Sequence, residues 1–241
     1  YMVEEDEMER GLKIMVDQYA GRVPVYFGIG AISTKKCCRL AQMAVKNGAA
    51  AVSVLQPMFL KPTYAELYDH FKTIAESVPE TPVLLYNNPG RVGYTLSAQL
   101  VEELAHTVPN IVGMKDTSGD ITQTSEVIRR TRDVEFKVFG GKDTLLYASL
   151  CHGAVGGVCT AANFMPELIT DVYNKFAAGD EVEIVGPDTR PFSVTVPVTL
   201  PLVVDESGEV HTGSAEIING STGAVVVSSV SISTKNGWQL V

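Results

Sequence analysis

Three side chains whose types could together perform carbonyl chemistry stand at or after the ends of apolar segments. Lys115 closes one such segment, Tyr86 closes another, and Arg91 lies in the stretch that follows Tyr86. Burial disfavours the charged form of a lysine, and a neutral amine can attack a carbonyl carbon. A tyrosine hydroxyl can pass protons to and from that centre, and an arginine can hold a carboxylate through two hydrogen bonds. The set predicts Schiff-base chemistry on a 2-oxo acid; the alternative is that Lys115 extends to solvent and pairs with Asp116.

Two other patterns could signal a cofactor or a metal, and both are weak. Gly28 and Gly30 match half of a dinucleotide fingerprint, but Ser33 stands where the third glycine belongs, so a nicotinamide oxidoreductase has little support. Three histidines fall in predicted helices without the spacing of metal ligands, and we expect them at the surface or at helix ends: His70, His106 and His152.

The elements that would position Lys115 and Tyr86 alternate between strands and helices over residues 1–180. After a leading helix at 5–19, the pattern predicts six strand-then-helix units. The predicted strands are 23–28, 50–55, 82–86, 111–115, 136–139 and 155–159. The predicted helices that follow them are 34–46, 64–77, 97–107, 121–130, 143–151 and 166–178. Apolar strands separated by helices indicate a parallel sheet covered on both faces, either an open doubly wound sheet or most of an eight-unit barrel. In both architectures functional groups collect at the carboxyl ends of the strands, where Lys115 and Tyr86 stand.

Residues 181–241 have a different composition, and we place a domain boundary near residue 180. This stretch holds 13 Val, 8 Ser and 6 Thr, and apolar and polar residues alternate over 192–198 and 225–232, which predicts strands. Residues 205–208 have the composition of a hairpin turn. We therefore predict a small antiparallel β module over 181–241 that carries no chemistry.

The overall composition excludes several classes of protein. The chain has 241 residues, of which 45% are hydrophobic and 20% charged, as in ordinary globular proteins. Its net charge of −9 argues against nucleic acid and anionic membranes as partners. No apolar run reaches the ~20 residues of a membrane-spanning helix, and the acidic start is unlike a signal peptide. The four cysteines show no paired spacing, which predicts reduced thiols and a cytoplasmic location for residues 1–180.

Several ordered motifs of residues 1–180 resemble those of a known enzyme family, the dihydrodipicolinate synthase / N-acetylneuraminate lyase family of class I pyruvate-dependent aldolases. The matching stretches are 61–63 (KPT), 67–71 (LYDHF), 86–91 (YNNPGR), 113–116 (GMKD), 140–143 (GGKD) and 153–157 (GAVGG). The resemblance implies a (β/α)8 barrel, usually a homotetramer, that acts on pyruvate and an aldehyde without a metal or organic cofactor.

The resemblance also implies roles for individual residues. Lys115 would form the Schiff base with pyruvate or another 2-oxo acid, and Tyr86 would be the proton-relay phenol beside it. Arg91 matches the arginine near the mouth of the site, which contacts the carboxylate of the second substrate in the synthases. Two further residues, Thr117 and Gly141, would line the pocket. The backbone carbonyl of Val158 would face the lysine.

The chain departs from the family pattern at three places. The opening strand, helix and second strand are absent, together with the Gly-Thr-Thr-Gly-Glu type loop that holds the pyruvyl carboxylate, and Tyr1 begins just after where that loop would end. Phe59 stands where the synthases carry a relay tyrosine lent across a dimer interface, which favours a sister aldolase. The C-terminal helices are replaced by the predicted β module. The expected fold is therefore α/β, an incomplete (β/α)8 barrel of about six units followed by a small all-β module.

These departures leave a second hypothesis open. A six-stranded barrel has two unpaired strand edges, so we expect association or low stability of residues 1–180. Residues 203–210 (VVDESGEV) and 236–238 (NGW) of the β module resemble modules of Gram-positive surface proteins. Both ends of the chain are expected to be cuts within longer sequences. The alternative to an aldolase is a non-catalytic binding or surface protein, or an artificial join, in which the barrel fragment is inert.

Overall fold

The computed structural model describes residues 3–180 and, farther along the chain, only four short strands. The chain divides into two units, Tyr1–Val182 and Glu183–Val241. Within the described residues, no helix combines the length and the apolar character needed to cross a membrane.

The first unit is built on a parallel sheet of six strands whose spatial order follows the chain order, β1 to β6. The strands are β1 Tyr26–Ile29, β2 Ala51–Leu55, β3 Val83–Asn87, β4 Ile111–Asp116, β5 Lys137–Gly140 and β6 Gly156–Gly157. Each strand is parallel to the next one in the chain, and a helical segment lies between consecutive strands. The arrangement is a half-barrel, in agreement with the predicted incomplete (β/α)8 fold.

Several α-helices begin after a residue whose side chain caps the helix. The α-helices are α1 Glu5–Tyr19, α2 Thr34–Lys46, α3 Tyr64–Glu76, α4 Pro89–Val92, α5 Ala98–Thr107, α6 Ile121–Arg130, α7 Leu146–Cys151 and α8 Pro166–Ala178. Short 3-10 helices lie at Asp143–Leu145 and Thr160–Asn163. The Thr63 side chain accepts from the Glu66 backbone at the start of α3, and Glu66 reciprocates in a capping box, which satisfies backbone N–H groups that have no partner inside the helix. Four predicted helices match the observed bounds residue for residue, whereas α4 and the second 3-10 helix escaped the sequence analysis.

The middle strands carry the core. Most residues of β2 and β3 are buried on both faces of the sheet, as expected for strands covered by helices. The largest fully buried side chains lie in β1, β3 and β4, in the helices packed on the sheet and in the segment before α5, and they include Leu12, Ile29, Phe71, Ile74, Leu85, Leu96, Leu100, Leu104 and Met114.

The two edge strands are less well formed. The first strand begins at Tyr26, which is half exposed, and within the described residues β1 and β6 each pair with a strand on one side only. The sequence predicts a strand over 155–159, but only Gly156 and Gly157 pair, while Val155 and Val158 are exposed. Glycine supplies no side chain to pack and weakens a strand, so the end of the sheet is short.

The second unit shows two antiparallel strand pairs. Strand β7 (Val194–Thr195) pairs with β10 (Ile218–Asn219), and β8 (Leu202–Val204) pairs with β9 (Val210–Thr212). The second pair flanks the predicted turn at 205–208. The predicted strand at 225–232 lies outside the described residues, and the β module as a whole stays a prediction.

His70 was expected at the surface or at a helix end, and this prediction is wrong. It lies in the interior of α3 with 6% of its surface exposed. Its Nδ1 is 2.8 Å from the Thr34 hydroxyl, and its Nε2 has no hydrogen-bond partner within the described residues. Burial lowers the pKa of His70 from 6.5 to about 4, because the imidazolium would lose its hydration.

This buried histidine predicts a loss of stability in acid. Between pH 6.5 and about 4 the unfolded chain binds a proton at His70 that the folded chain does not, so stability falls as the pH falls through this window. From pH 7 to pH 5 the loss from this group is about 2 kcal/mol. Urea unfolding at both pH values should show that loss in the wild type and not in His70→Asn. His152→Asn, at an exposed histidine, should keep the wild-type pH dependence; equal pH dependence of His70→Asn and wild type would contradict the prediction.

Candidate active site

Lys115 and Tyr86 meet at the carboxyl end of the sheet. They are register partners on β4 and β3, so their side chains leave the same face of the sheet. The Lys115 Nζ lies 4.3 Å from the centroid of the Tyr86 ring. Both residues are half-buried. The structure therefore brings together the amine and the phenol that the sequence singled out.

The Tyr86 hydroxyl is oriented by the residues that follow β3. It accepts a hydrogen bond of 2.9 Å from the Asn88 Nδ2. The Asn88 backbone N–H in turn donates to the Gln56 Oε1 at 3.2 Å, and Gln56 is fully buried after β2. The phenol oxygen is thus held in place by Asn88 and, through the Asn88 backbone, by Gln56.

Beneath this pair lies a buried polar network that the sequence analysis missed. Asn87 donates to the Asp116 Oδ1 at 2.9 Å and to the Thr95 hydroxyl at 3.1 Å, and its Oδ1 accepts from the Leu96 N–H at 3.0 Å. The Asp116 carboxyl also accepts from the Thr124 hydroxyl at 2.7 Å. Asn87 and Asp116 directly follow Tyr86 and Lys115, so the network fixes the ends of β3 and β4 relative to each other. Polar residues immediately after two candidate site residues were the available signal.

Thr117 and Gly141 lie against each other above β4 and β5. The Gly141 N–H donates to the Asp116 carbonyl at 2.8 Å. A Cβ on residue 141 would collide with the Thr117 Oγ1, so the close approach requires glycine. That hydroxyl is buried and has no hydrogen-bond partner within the described residues.

Arg91 and Val158 occupy the rim. Arg91 lies on α4 and is exposed; it forms no ion pair or side-chain hydrogen bond within residues 3–180. Val158 follows β6, and its N–H donates to the Gly140 carbonyl at 2.8 Å. The structure thus places both residues after the carboxyl ends of strands, Arg91 after β3 and Val158 after β6.

Tyr86 also borders a cavity on the β1 side of the sheet. The cavity has a volume of about 770 Å³, and its wall includes residues 28–33, Ser53, Leu55 and Met58. The Gly28 and Gly30 pair of the partial dinucleotide fingerprint lies in this wall. In the part of the chain that the structure describes, no group of three His, Cys, Asp or Glu side chains could hold a metal ion.

Phe59 projects from the loop between β2 and α3. Its backbone has φ of +80°, a left-handed conformation that is unfavourable for a bulky residue, and 89% of its surface is exposed. Its ring carries no hydroxyl, so it cannot relay a proton.

Known proteins match this chain over the first unit. The profile of the Dihydrodipicolinate synthetase family matches residues 1–187. The 4-hydroxy-tetrahydrodipicolinate synthase of Methanoculleus marisnigri is 41% identical over 175 residues, which are 73% of this chain and 59% of that protein. The enzyme of the same name from Thermus thermophilus is 36% identical over 176 residues, 73% of this chain and 58% of that protein.

Solved structures agree with these matches. The crystal structure of dihydrodipicolinate synthase from Thermotoga maritima aligns with a TM-score of 0.71 and 31% identity, covering 74% of this chain and 61% of that one. The chloride-inhibited dihydrodipicolinate synthase from Acinetobacter baumannii, complexed with pyruvate, aligns with a TM-score of 0.71 and 34% identity. The alignment covers 75% of this chain and 61% of that one. This chain spans about three fifths of the length of the curated relatives it matches. With its profile, its relatives and its half-barrel in agreement, the chain belongs to the dihydrodipicolinate synthetase family.

Proposed function

We propose that this chain carries the Schiff-base centre of a class I aldolase that acts on pyruvate or another 2-oxo acid. The observation that carries the proposal is the pairing of Lys115 and Tyr86, with the lysine Nζ 4.3 Å from the tyrosine ring centroid. Relatives named as 4-hydroxy-tetrahydrodipicolinate synthases and a family structure complexed with pyruvate support the same chemistry.

The reaction follows from the two side chains. The Lys115 Nζ in its neutral form attacks the C2 carbonyl carbon, and the carbonyl oxygen takes a proton to give a carbinolamine. Loss of this oxygen as water, with proton transfer by the Tyr86 hydroxyl, forms the protonated imine. The imine withdraws electrons from C3, which loses a proton to become a nucleophilic enamine. The enamine then adds to the carbonyl carbon of an aldehyde, and hydrolysis of the imine releases the product and Lys115.

The surrounding residues take supporting roles in this proposal. The unpartnered hydroxyl of Thr117 and the glycine backbone at Gly141 line the space above Lys115. The Val158 carbonyl faces the imine nitrogen, and Arg91 binds the carboxylate of the second substrate at the rim.

Partners and location complete the proposal. The second substrate is an aldehyde, and the working form is a homo-oligomer, a tetramer as the resemblance implies, in the cytoplasm. Residues 181–241 form a small β module without a catalytic role. The exposed edges of β1 and β6 and the exposed Phe59 and Leu60 support association with further chain segments or copies.

Trapping with pyruvate and borohydride tests the proposal. Borohydride reduces an imine to a stable secondary amine, so the peptide that contains Lys115 should gain the mass of a carboxyethyl group. A full-length relative treated in parallel shows that the conditions work. Absence of the adduct from this chain, with the relative labelled, would contradict the proposed function and favour the non-catalytic alternative.

A further inference from the structure

Asn88 stands at the start of α4 but does not cap this helix. An asparagine at such a position ordinarily accepts a hydrogen bond from a backbone N–H group in the first turn. The Asn88 side chain makes no such bond. Its Nδ2 instead donates to the Tyr86 hydroxyl at 2.9 Å. Within the described residues this is the only hydrogen bond of the Tyr86 hydroxyl, so the Asn88 amide is the one polar group that the described structure sets against the phenol oxygen.

The backbone of Asn88 is fixed from both sides. Its N–H donates to the Gln56 Oε1 at 3.2 Å, and Gln56 is fully buried after β2. Its carbonyl accepts from the Arg91 and Val92 N–H groups of α4 at 3.0 and 3.2 Å. Pro89 disfavours helical backbone at the residue before it, and Asn88 has a non-helical φ of −138° and ψ of 74°. The amide therefore extends from a well-defined point of the chain toward the phenol.

A hydrogen-bond donor at this place favours the phenolate over the phenol. A hydrogen bond to the charged form of a group stabilises that form, and a bond to an ionised acceptor is about twice as strong as one between neutral groups. The contact from Asn88 therefore strengthens as Tyr86 gives up its proton. An interaction that is stronger after the proton has left than before lowers the barrier to its transfer.

We propose, on the basis of the proposed function, that Asn88 is a positioning residue that holds the Tyr86 oxygen and stabilises the phenolate formed when Tyr86 protonates the hydroxyl of the carbinolamine. In that step the phenol proton passes to the hydroxyl oxygen, the bond from C2 to this oxygen breaks, and the oxygen leaves as water. The lone pair of the Lys115 nitrogen forms the C=N bond, which gives an iminium cation and a phenolate anion. Asn88 acts through Tyr86 and does not touch the substrate.

The first test is independent of catalysis and uses tetranitromethane, which nitrates the phenolate form of tyrosine. The nitration rate at pH 8 is measured from the mass of the peptide that contains Tyr86. Asn88→Asp has nearly the same shape but carries a carboxylate that can only accept a hydrogen bond, so the rate should fall at least about tenfold. Asn88→Ala removes the donor and adds no charge. Its rate should fall about threefold or more, although the smaller side chain leaves the ring at least as open to the reagent.

The matched control for the added charge is Asn174→Asp, at an exposed position of α8. Its Tyr86 nitration rate should stay within about twofold of the wild type. Urea unfolding of each variant shows whether the fold is retained, and aspartate is itself a favourable residue at the start of a helix. A rate in folded Asn88→Asp equal to that of the wild type would overturn the inference. Asn88→Ala decides it in the same way if the aspartate variant does not fold.

The second test compares the same variants in pyruvate trapping. The rate of adduct formation on Lys115 at saturating pyruvate should fall about threefold or more in Asn88→Ala and at least about tenfold in Asn88→Asp. The pyruvate concentration that gives half the maximal rate should stay within about twofold of the wild type, because Asn88 does not touch the substrate.

The order of the two variants separates this role from a structural one. A role in filling space or in starting α4 predicts that Asn88→Asp traps pyruvate faster than Asn88→Ala, since aspartate keeps the size and the capping ability that alanine lacks. That order would overturn the inference. Wild-type protein that forms no adduct would refute the proposed function, and the nitration rates would then decide this inference alone.

Discussion

Lys115→Ala is expected to abolish the pyruvate adduct, with a loss of at least about 1000-fold in the trapping rate. The nucleophile of covalent catalysis has no substitute when its amine is removed, and Lys115 is the only lysine that the register places beside Tyr86. The adduct is measured by peptide mass after borohydride reduction. Alanine also removes the charge next to the Tyr86 ring, so unfolding in urea should be measured with the same protein to show that the fold is retained.

The matched control is Lys137→Ala. Lys137 lies at the start of β5, is exposed and pairs only with Glu135 among the described residues, so its loss should leave the adduct on Lys115 within about twofold of the wild type. An adduct of equal yield in Lys115→Ala, on any other lysine, would show that pyruvate reacts nonspecifically. In that case the barrel fragment would carry the residues of the family without its chemistry, and the non-catalytic hypothesis would gain support.

The pairing of Lys115 with Tyr86 could be predicted from sequence because it depends on local features. Each residue closes a short apolar segment, and parallel strands bring their carboxyl ends to one edge of a sheet. Helix α3 could also be placed from sequence. Its start is marked by a capping box formed by Thr63 and Glu66, two residues only three positions apart. Each of these signals lies within one short stretch of the chain, so it can be recognised without knowing the fold.

The features that escaped prediction depend on contacts between distant stretches. The hydrogen bond between His70 and Thr34 joins residues 36 positions apart, so no single stretch reveals it. The burial of His70, in contrast, follows the helical spacing of Leu67 and Phe71 on one face of α3, a signal that the sequence analysis overlooked. The collision between residue 141 and Thr117 becomes visible only when β4 and β5 lie side by side. The shortness of β6 follows from its two glycines at the end of the sheet, where packing on one side cannot compensate for their missing side chains.

The buried network beneath the site yields the largest expected change in stability. Asn87→Ala should lower the free energy of unfolding by about 3 kcal/mol, measured by urea unfolding at pH 7. The substitution removes a donor to the Asp116 carboxyl and an acceptor of the Leu96 N–H. Asp116 is 4% exposed, so water cannot readily replace the lost partner, and a buried carboxyl with an unmet hydrogen bond is costly.

Asn163→Ala is the control for this substitution, since Asn163 is exposed and its side chain donates only to the nearby Thr160 carbonyl among described residues. Its effect should stay within about 0.5 kcal/mol. The hydrogen bonds of the Asn87 side chain within the described residues do not include the Lys115 amine, yet its loss frees the ends of β3 and β4 from each other. Adduct formation should therefore fall in Asn87→Ala even at temperatures where the chain remains folded, because the distance between Tyr86 and Lys115 is set by these two strand ends. A variant that loses stability but traps pyruvate at the wild-type rate would show that the sheet register alone positions the pair.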